Sequence, residues 1–157
     1  MVKSNSTARL FSISHKIILT QTDTTVGFLS QDAKRLREIK SRNDKKPFIR
    51  VFQNFSTLKQ HNIRIPNKYK KRVRRANKTT FIVKNRAFRI AQPSLHSILL
   101  YNLSWAYSTS ANESGKKFQR DFCQQKTDII IEDKNRLFEG EPSKLYKIND
   151  TTIKRLR

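Results

Sequence analysis

The chain reads as an α/β domain. Apolar runs of strand length alternate with helical stretches along its whole length, turn residues punctuate them, and no long linker divides the chain. At 157 residues it can bury a real core as one domain, taken here as residues 1–157. An apolar content of 36% with ten Phe excludes a disordered chain, while a mean hydropathy of −0.73 demands a very polar surface.

Taken in order, Lys16 to Thr20 reads as a buried strand closed by the polar turn Gln21-Thr22-Asp23-Thr24. Asp32 can cap a helix that carries Ala33, Leu36 and Ile39 on one face and ends near Arg42, where Asn43 and Asp44 supply a turn. Pro47 to Phe52 is a second strand. Ser56 can cap a short helix through Leu58, and Pro66 suits the first turn of another that runs to about Ala76. Thr79 to Lys84 and Ala87 to Ala91 pair as strands joined at Asn85-Arg86. Pro93 opens a helix with Leu95, Ile98 and Leu99 inward, and Leu103 to Thr109 is the next strand. Asp128 to Glu132 and Leu145 to Ile148 complete the set.

The single cysteine, Cys123, cannot form an internal disulfide and reads as a small buried hydrophobe, which fits a reducing compartment. His15, His61 and His96 lack metal-ligand spacing. No apolar run is long enough to span a bilayer, and Leu10 to Leu19 is too broken by Ser12, Ser14, His15 and Lys16 for a signal peptide, so a cytoplasmic location is expected. The formal charge of +22 favours a polyanionic partner, although high Lys and Asn usage with three Gly suggests that composition bias supplies part of it. Clustering is a separate matter. Lys68, Lys70, Lys71, Arg72, Arg74 and Arg75 crowd one predicted helix with only Tyr69 and Val73 as apolar anchors. Such packing of like charge costs repulsion unless an anionic backbone lies nearby, so an RNA-contacting face is expected there.

The most informative segment is Ser108-Thr109-Ser110-Ala111-Asn112-Glu113-Ser114-Gly115, which follows an apolar run. A strand ending in such a turn offers hydroxyls, a carboxamide and backbone N–H groups to phosphate oxygens, although ordinary turns use the same residues. Its wording is the signature phrase of the YrdC/TsaC-like threonylcarbamoyl-AMP synthase family, which this chain resembles in further places. Gln21-Thr22-Asp23-Thr24-Thr25-Val26-Gly27 matches the phrase after the first strand, Lys40-Ser41-Arg42 the Lys-x-Arg at the first helix end, Ala87-Phe88-Arg89-Ile90 the central strand, and Pro142-Ser143-Lys144-Leu145 a late Pro-Ser phrase.

The resemblance implies a twisted mixed sheet flanked by helices with a basic cleft. It also implies a reaction that joins threonine, bicarbonate and ATP into threonylcarbamoyl-AMP and pyrophosphate. A transferase machinery then passes the group to tRNA. By resemblance Lys40 and Arg42 are catalytic, and Lys40, Arg42, Ser110 and Asn112 hold ATP. Thr24, Arg89, Ser110 and Ser143 would line the threonine pocket, with Arg89 on its carboxylate. Positioned cations suit phosphoryl chemistry. Residues two apart on a helix point to nearly opposite sides, so Lys40 and Arg42 converge only if the helix stops between them. Mg²⁺ is expected to accompany ATP, though no carboxylate cluster marks a site built by the protein.

Departures from the family pattern are equally specific. Gln21 replaces a Pro, Val26 a Tyr and Val51 a His, and Ala76-Asn77-Lys78 stands where the family has Pro-Gly-Pro. They keep open an alternative, a non-catalytic module that binds double-stranded RNA or tRNA on the same fold. A domain detached from carbamoyl-transfer maturation enzymes ranks last, because the Cys-rich zinc motifs of those enzymes are missing.

Overall fold

Residues 13–41 and 47–157 are described by a computed structural model, which has one mixed sheet of nine strands at its centre. In chain order the strands are β1 (Ile18–Gln21), β2 (Val26–Ser30), β3 (Ile49–Phe52), β4 (Thr79–Val83), β5 (Arg86–Ile90), β6 (Trp105–Ser110), β7 (Ile129–Ile131), β8 (Lys144–Ile148) and β9 (Ile153–Arg155). They lie in the order β7-β1-β2-β6-β3-β5-β4-β8-β9. β1 with β7, β3 with β5 and β4 with β8 are the parallel pairs; every other neighbour is antiparallel.

Among the described residues the helices covering this sheet are α1 (Ala33–Lys40), α2 (Phe55–Gln60), α3 (Asn67–Arg75), α4 (Leu95–Leu103) and α5 (Arg120–Gln125). Successive strand residues face opposite sides, so the core partners fix each helix to a side. Leu36 of α1 and Cys123 of α5 pack with Leu19 and Phe28, and Leu58 of α2 and Val73 of α3 pack with Phe52 and Phe88. Leu99, Leu100 and Leu103 of α4 instead meet Ile18, Leu29, Val51 and Ala106, the alternate positions. α4 therefore covers the face opposite the other helices.

Most expected elements are present within a residue or two of their expected ends. Asp32 caps α1 as its side chain predicts, accepting from the Lys34 and Arg35 amides at 3.0 and 3.1 Å. α1 stops at Lys40 because Ser41 turns left-handed (φ 45°, ψ 40°). Several details differ. Asn54, not Ser56, caps α2, its Oδ1 accepting from the Thr57 amide at 2.9 Å. Pro66 precedes α3 as the N-cap residue. The β4–β5 turn falls at Lys84-Asn85, both left-handed (φ 47° and 63°), one residue earlier than Asn85-Arg86; two left-handed residues match the twist of a hairpin. Ile98 is 67% exposed, because α4 begins at Leu95 under a Ser94–Ser97 capping box and that register turns Ile98 outward. Leu103 ends α4, and β6 starts only at Trp105.

Three elements were not anticipated: β2, β9 and α5. β2 is buried at all five positions and so lacks the alternation that marks a half-exposed strand. β9 is three residues long and reads as a basic tail.

Candidate functional site

The signature turn begins where β6 ends, and α1 delivers Lys40 to it. Lys40 is 8% exposed, and its Nζ donates to the Ser110 carbonyl at 3.0 Å, to Asn112 Oδ1 at 2.7 Å and to the Asn112 carbonyl. Ser110 Oγ donates to the same Asn112 Oδ1 at 2.7 Å, and Asn112 Nδ2 donates to the Lys116 carbonyl at 2.6 Å. Lys40 and Asn112, 72 residues apart in sequence, are thus one unit that fixes the turn.

Ser110 joins that unit to a cavity of about 260 Å³ which Thr24, Arg89, Ser108, Ser110, Ser143 and Arg157 help to line. Thr24 comes from the β1–β2 turn. Thr22 braces that turn, its Oγ1 donating to the Thr25 carbonyl at 2.6 Å, and Thr24 Oγ1 accepts from Arg89 Nη1 at 3.0 Å. Arg89 sits mid-strand in β5, opposite Val51 of β3, and is 4% exposed. Asp23 faces it at 3.4 Å. Burial pushes the Asp23 carboxyl above its ordinary value, with the Arg89 charge partly opposing, and burial lowers Arg89 while Asp23 supports its charge. Nearby His96 is held down to about 3 by burial and by Arg89, so it stays neutral. Ser143 shares a 2.7 Å hydrogen bond with Thr80 Oγ1.

The residues singled out in the sequence therefore fall into one neighbourhood: Thr24, Arg89, Ser110 and Ser143 on the cavity, with Lys40 and Asn112 on the turn beside it. Arg42 lies outside the described residues. The neighbourhood is not simply the carboxyl edge of the sheet, as an open α/β fold suggests. β1 and β6 bring their carboxyl ends to it, whereas β2 starts there, because the sheet is mixed.

Sequence reasoning missed Arg157 and gave Asp23 no role. Arg157 Nε donates to the Ser143 carbonyl at 3.2 Å on the cavity wall, yet nothing in Lys154-Arg155-Leu156-Arg157 sets it apart from a basic tail. Val51, where the family has His, is fully buried among Leu29, Leu100 and Ala106. Ala76-Asn77-Lys78 is an ordered turn: the Ala76 carbonyl accepts from Gln92 Nε2 at 2.9 Å, and the Lys78 carbonyl from the Lys144 amide at 2.9 Å.

A second basic feature lies against the β4–β8 side. Lys68, Lys71, Arg72 and Arg75 of α3, with Lys144 opposite, line a groove of about 550 Å³. Arg72 stacks over Tyr146 at 4.8 Å and Arg74 over Phe55 at 4.4 Å; Lys68 Nζ donates to the Thr151 carbonyl at 2.6 Å, and Lys70 Nζ to Asn67 Oδ1 at 2.5 Å. Among the described residues, none of these α3 cations pairs with a carboxylate. Lys144 lines this groove, while its neighbour Ser143 lines the cavity.

The family model for Sua5, YciO and YrdC proteins, described as "Telomere recombination", matches residues 13–157. The chain belongs to this family. Its fold is similar to that of a H234A/Y235A variant of Sua5 from P. abyssi, with a TM-score of 0.79 and 19% identity over 97% of this chain and 55% of that one. YciO from E. coli follows at 0.74 and 16% identity, over 97% of this chain and 87% of that one. P. abyssi Sua5 complexed with L-threonine matches at 0.71 and 19% identity over 99% and 55%. The family member described here thus spans about half the length of those Sua5 chains. No curated protein matches it in sequence.

Proposed function

We propose that this family member is a nucleotidyltransferase that makes threonylcarbamoyl-AMP from L-threonine, bicarbonate and ATP for tRNA modification. One observation carries the reading: a cavity of amino-acid size, lined by hydroxyls and two arginines, is joined through Ser110 to a turn clamped by a buried lysine. Arg89 suits a carboxylate, being a planar cation set in a dry wall. Thr24 and Ser143 would hold the remaining polar groups of threonine. The Lys40–Asn112 unit keeps the 110–115 turn in place for phosphate oxygens, and the Lys40 charge offsets negative charge that builds up during attack on the α-phosphate. The P. abyssi Sua5 complex with L-threonine supports the choice of amino acid. Mg²⁺ would arrive on the phosphates, since no group of three or more His, Cys, Asp or Glu among the described residues could hold a metal ion. No helix among them is long and apolar enough to cross a membrane, and we infer a cytoplasmic site of action.

The test is direct. Purified protein incubated with ATP, threonine and bicarbonate should yield AMP-linked product and pyrophosphate, and Lys40→Ala should abolish both. Turnover no higher than that of the variant removes the reading.

The cations on α3 favour a second reading, a module that binds double-stranded RNA or tRNA through Lys68, Lys70, Lys71, Arg72, Arg74 and Arg75 without catalysis. A pure RNA binder would hold RNA with steep salt dependence and show no threonine-dependent affinity for nucleotide.

A further inference from the structure

We propose that Asp23 is the resident counter-ion of Arg89, and that a carboxylate entering the cavity shares that guanidinium with it and drives a proton from solvent onto Asp23. This rests on the reading of the cavity as an amino-acid pocket. The two side chains are each 5% exposed and stand 3.4 Å apart. That distance is too long for a good hydrogen bond, and among the described residues neither Asp23 oxygen takes one and Arg89 Nε has no partner. The pair is therefore held by charge rather than by fork geometry. Arg89 Nη1 is engaged by Thr24 on this same side, so an incoming carboxylate meets the rest of the fork. Two carboxylates then depend on one cation in a dry place. Like charges so placed do not both stay ionised, and the one already deprived of hydrogen bonds takes the proton. One proton comes from solvent, one carboxyl is neutralised, and no other bond changes.

Among the described residues, Lys78, from the turn before β4, is a further cation near Asp23; His96 of α4 lies near Arg89; and Arg157 stands elsewhere on the cavity wall. Burial has already raised Asp23, with Arg89 and Lys78 pulling it back. A ligand carboxylate that offsets Arg89 raises it further, so uptake occurs between the free and bound values and affinity falls as pH rises through that window.

L-threonine binding is measured by calorimetry between about pH 5 and 8 in buffers of different ionisation enthalpy, a range in which lysine and arginine keep their charge. The wild type should take up a proton, and its affinity should fall towards about tenfold per pH unit for one linked proton. Asp23→Asn, neutral and of equal size, should show no uptake and flat affinity. No uptake by the wild type, or equal uptake by the variant, overturns the proposal. L-threoninol, which lacks the carboxylate, should bind without uptake, and equal uptake also overturns it; this comparison decides the matter if Asp23→Asn does not fold. If the wild type binds no threonine, the amino-acid reading itself fails. Asp23 Cγ can then be titrated by NMR with acetate as the probe: movement of its midpoint to higher pH keeps the counter-ion assignment, and an unmoved midpoint ends it.

Discussion

At the scale of single residues, two positions concentrate the site's dependence on geometry. Asn112 Oδ1 receives both Lys40 Nζ and Ser110 Oγ, so Asn112→Ala strips Ser110 Oγ of this acceptor and leaves Lys40 Nζ its bonds to two backbone carbonyls. ATP affinity should fall by about 1–3 kcal/mol, the usual cost of an unpaired polar partner, while the thermal midpoint changes little because the residue is in a turn. Isothermal titration alongside a melting curve checks both halves. Gly140 acts from further away. A Cβ built there would lie 2.0 Å from the Thr24 carbonyl, so Gly140→Ala must push apart the loop and the turn that carries Thr24. Overpacking of this kind costs about 1–3 kcal/mol. Threonine affinity should drop with it, whereas ATP affinity should hold; an unchanged threonine affinity would show that the Thr24 turn does not depend on this packing.

At the scale of elements, β7 is an edge strand tied down by charge. Arg35 meets Asp128 at 2.8 Å just before the strand, the Ile17 amide donates to the same carboxylate at 2.7 Å, and Arg120 meets Glu132 at 2.6 Å just after it. Hydrogen bonds from these arginines hold Asp128 and Glu132 below their ordinary values of 3.8 and 4.5. A carboxyl lowered in the folded state stabilises above its ordinary value, and that contribution is lost as pH falls through the lowered one. Once the slowing of intrinsic exchange by acid is allowed for, the protection of the Ile129–Ile131 amides should therefore fall on acidification before that of β2 or β6 does. These elements also show what could be read in advance. α1 was legible because Asp32, Leu36 and the chain reversal after Lys40 agree at every level. β2 was not, since a strand buried on both faces has no alternation to read, and α4 was turned by a capping box between two serines rather than by Pro93. In the site, Thr24, Arg89, Ser110, Asn112 and Ser143 were legible through the wording of their phrases. Arg157 was not, because its place on the wall is decided by a distant carbonyl, that of Ser143.

At the scale of the whole molecule, the net charge of +22 is distributed unevenly enough to matter. The groove is lined on the Phe81 and Tyr146 face of the sheet and the cavity on the Arg89 face, so the two are separate anion-attracting features. If α3 contacts RNA backbone, replacing Lys71 and Arg75 by Gln should weaken tRNA binding uniformly across sequences and reduce the salt slope by about 1 per lost phosphate contact. Filter binding at several salt concentrations measures it, and an unchanged slope places the RNA elsewhere.

The same arrangement governs when the protein can begin to work. The cavity takes Thr24 from near the start of the described chain and Arg157 from its far end, and two of its strand pairings, β1 with β7 and β4 with β8, close only over long sequence separations. Pairings of that kind form late, after the chain has paid for closing large loops. A polypeptide emerging from the ribosome would therefore expose its signature turn well before it owned a pocket. Every partial product of translation then lacks the complete cavity, and its unpaired β1 and β4 edges await strands not yet made. Nascent chains halted before Ser143 should be the aggregation-prone species and full-length chains should not, a difference that pelleting of stalled ribosome complexes would reveal.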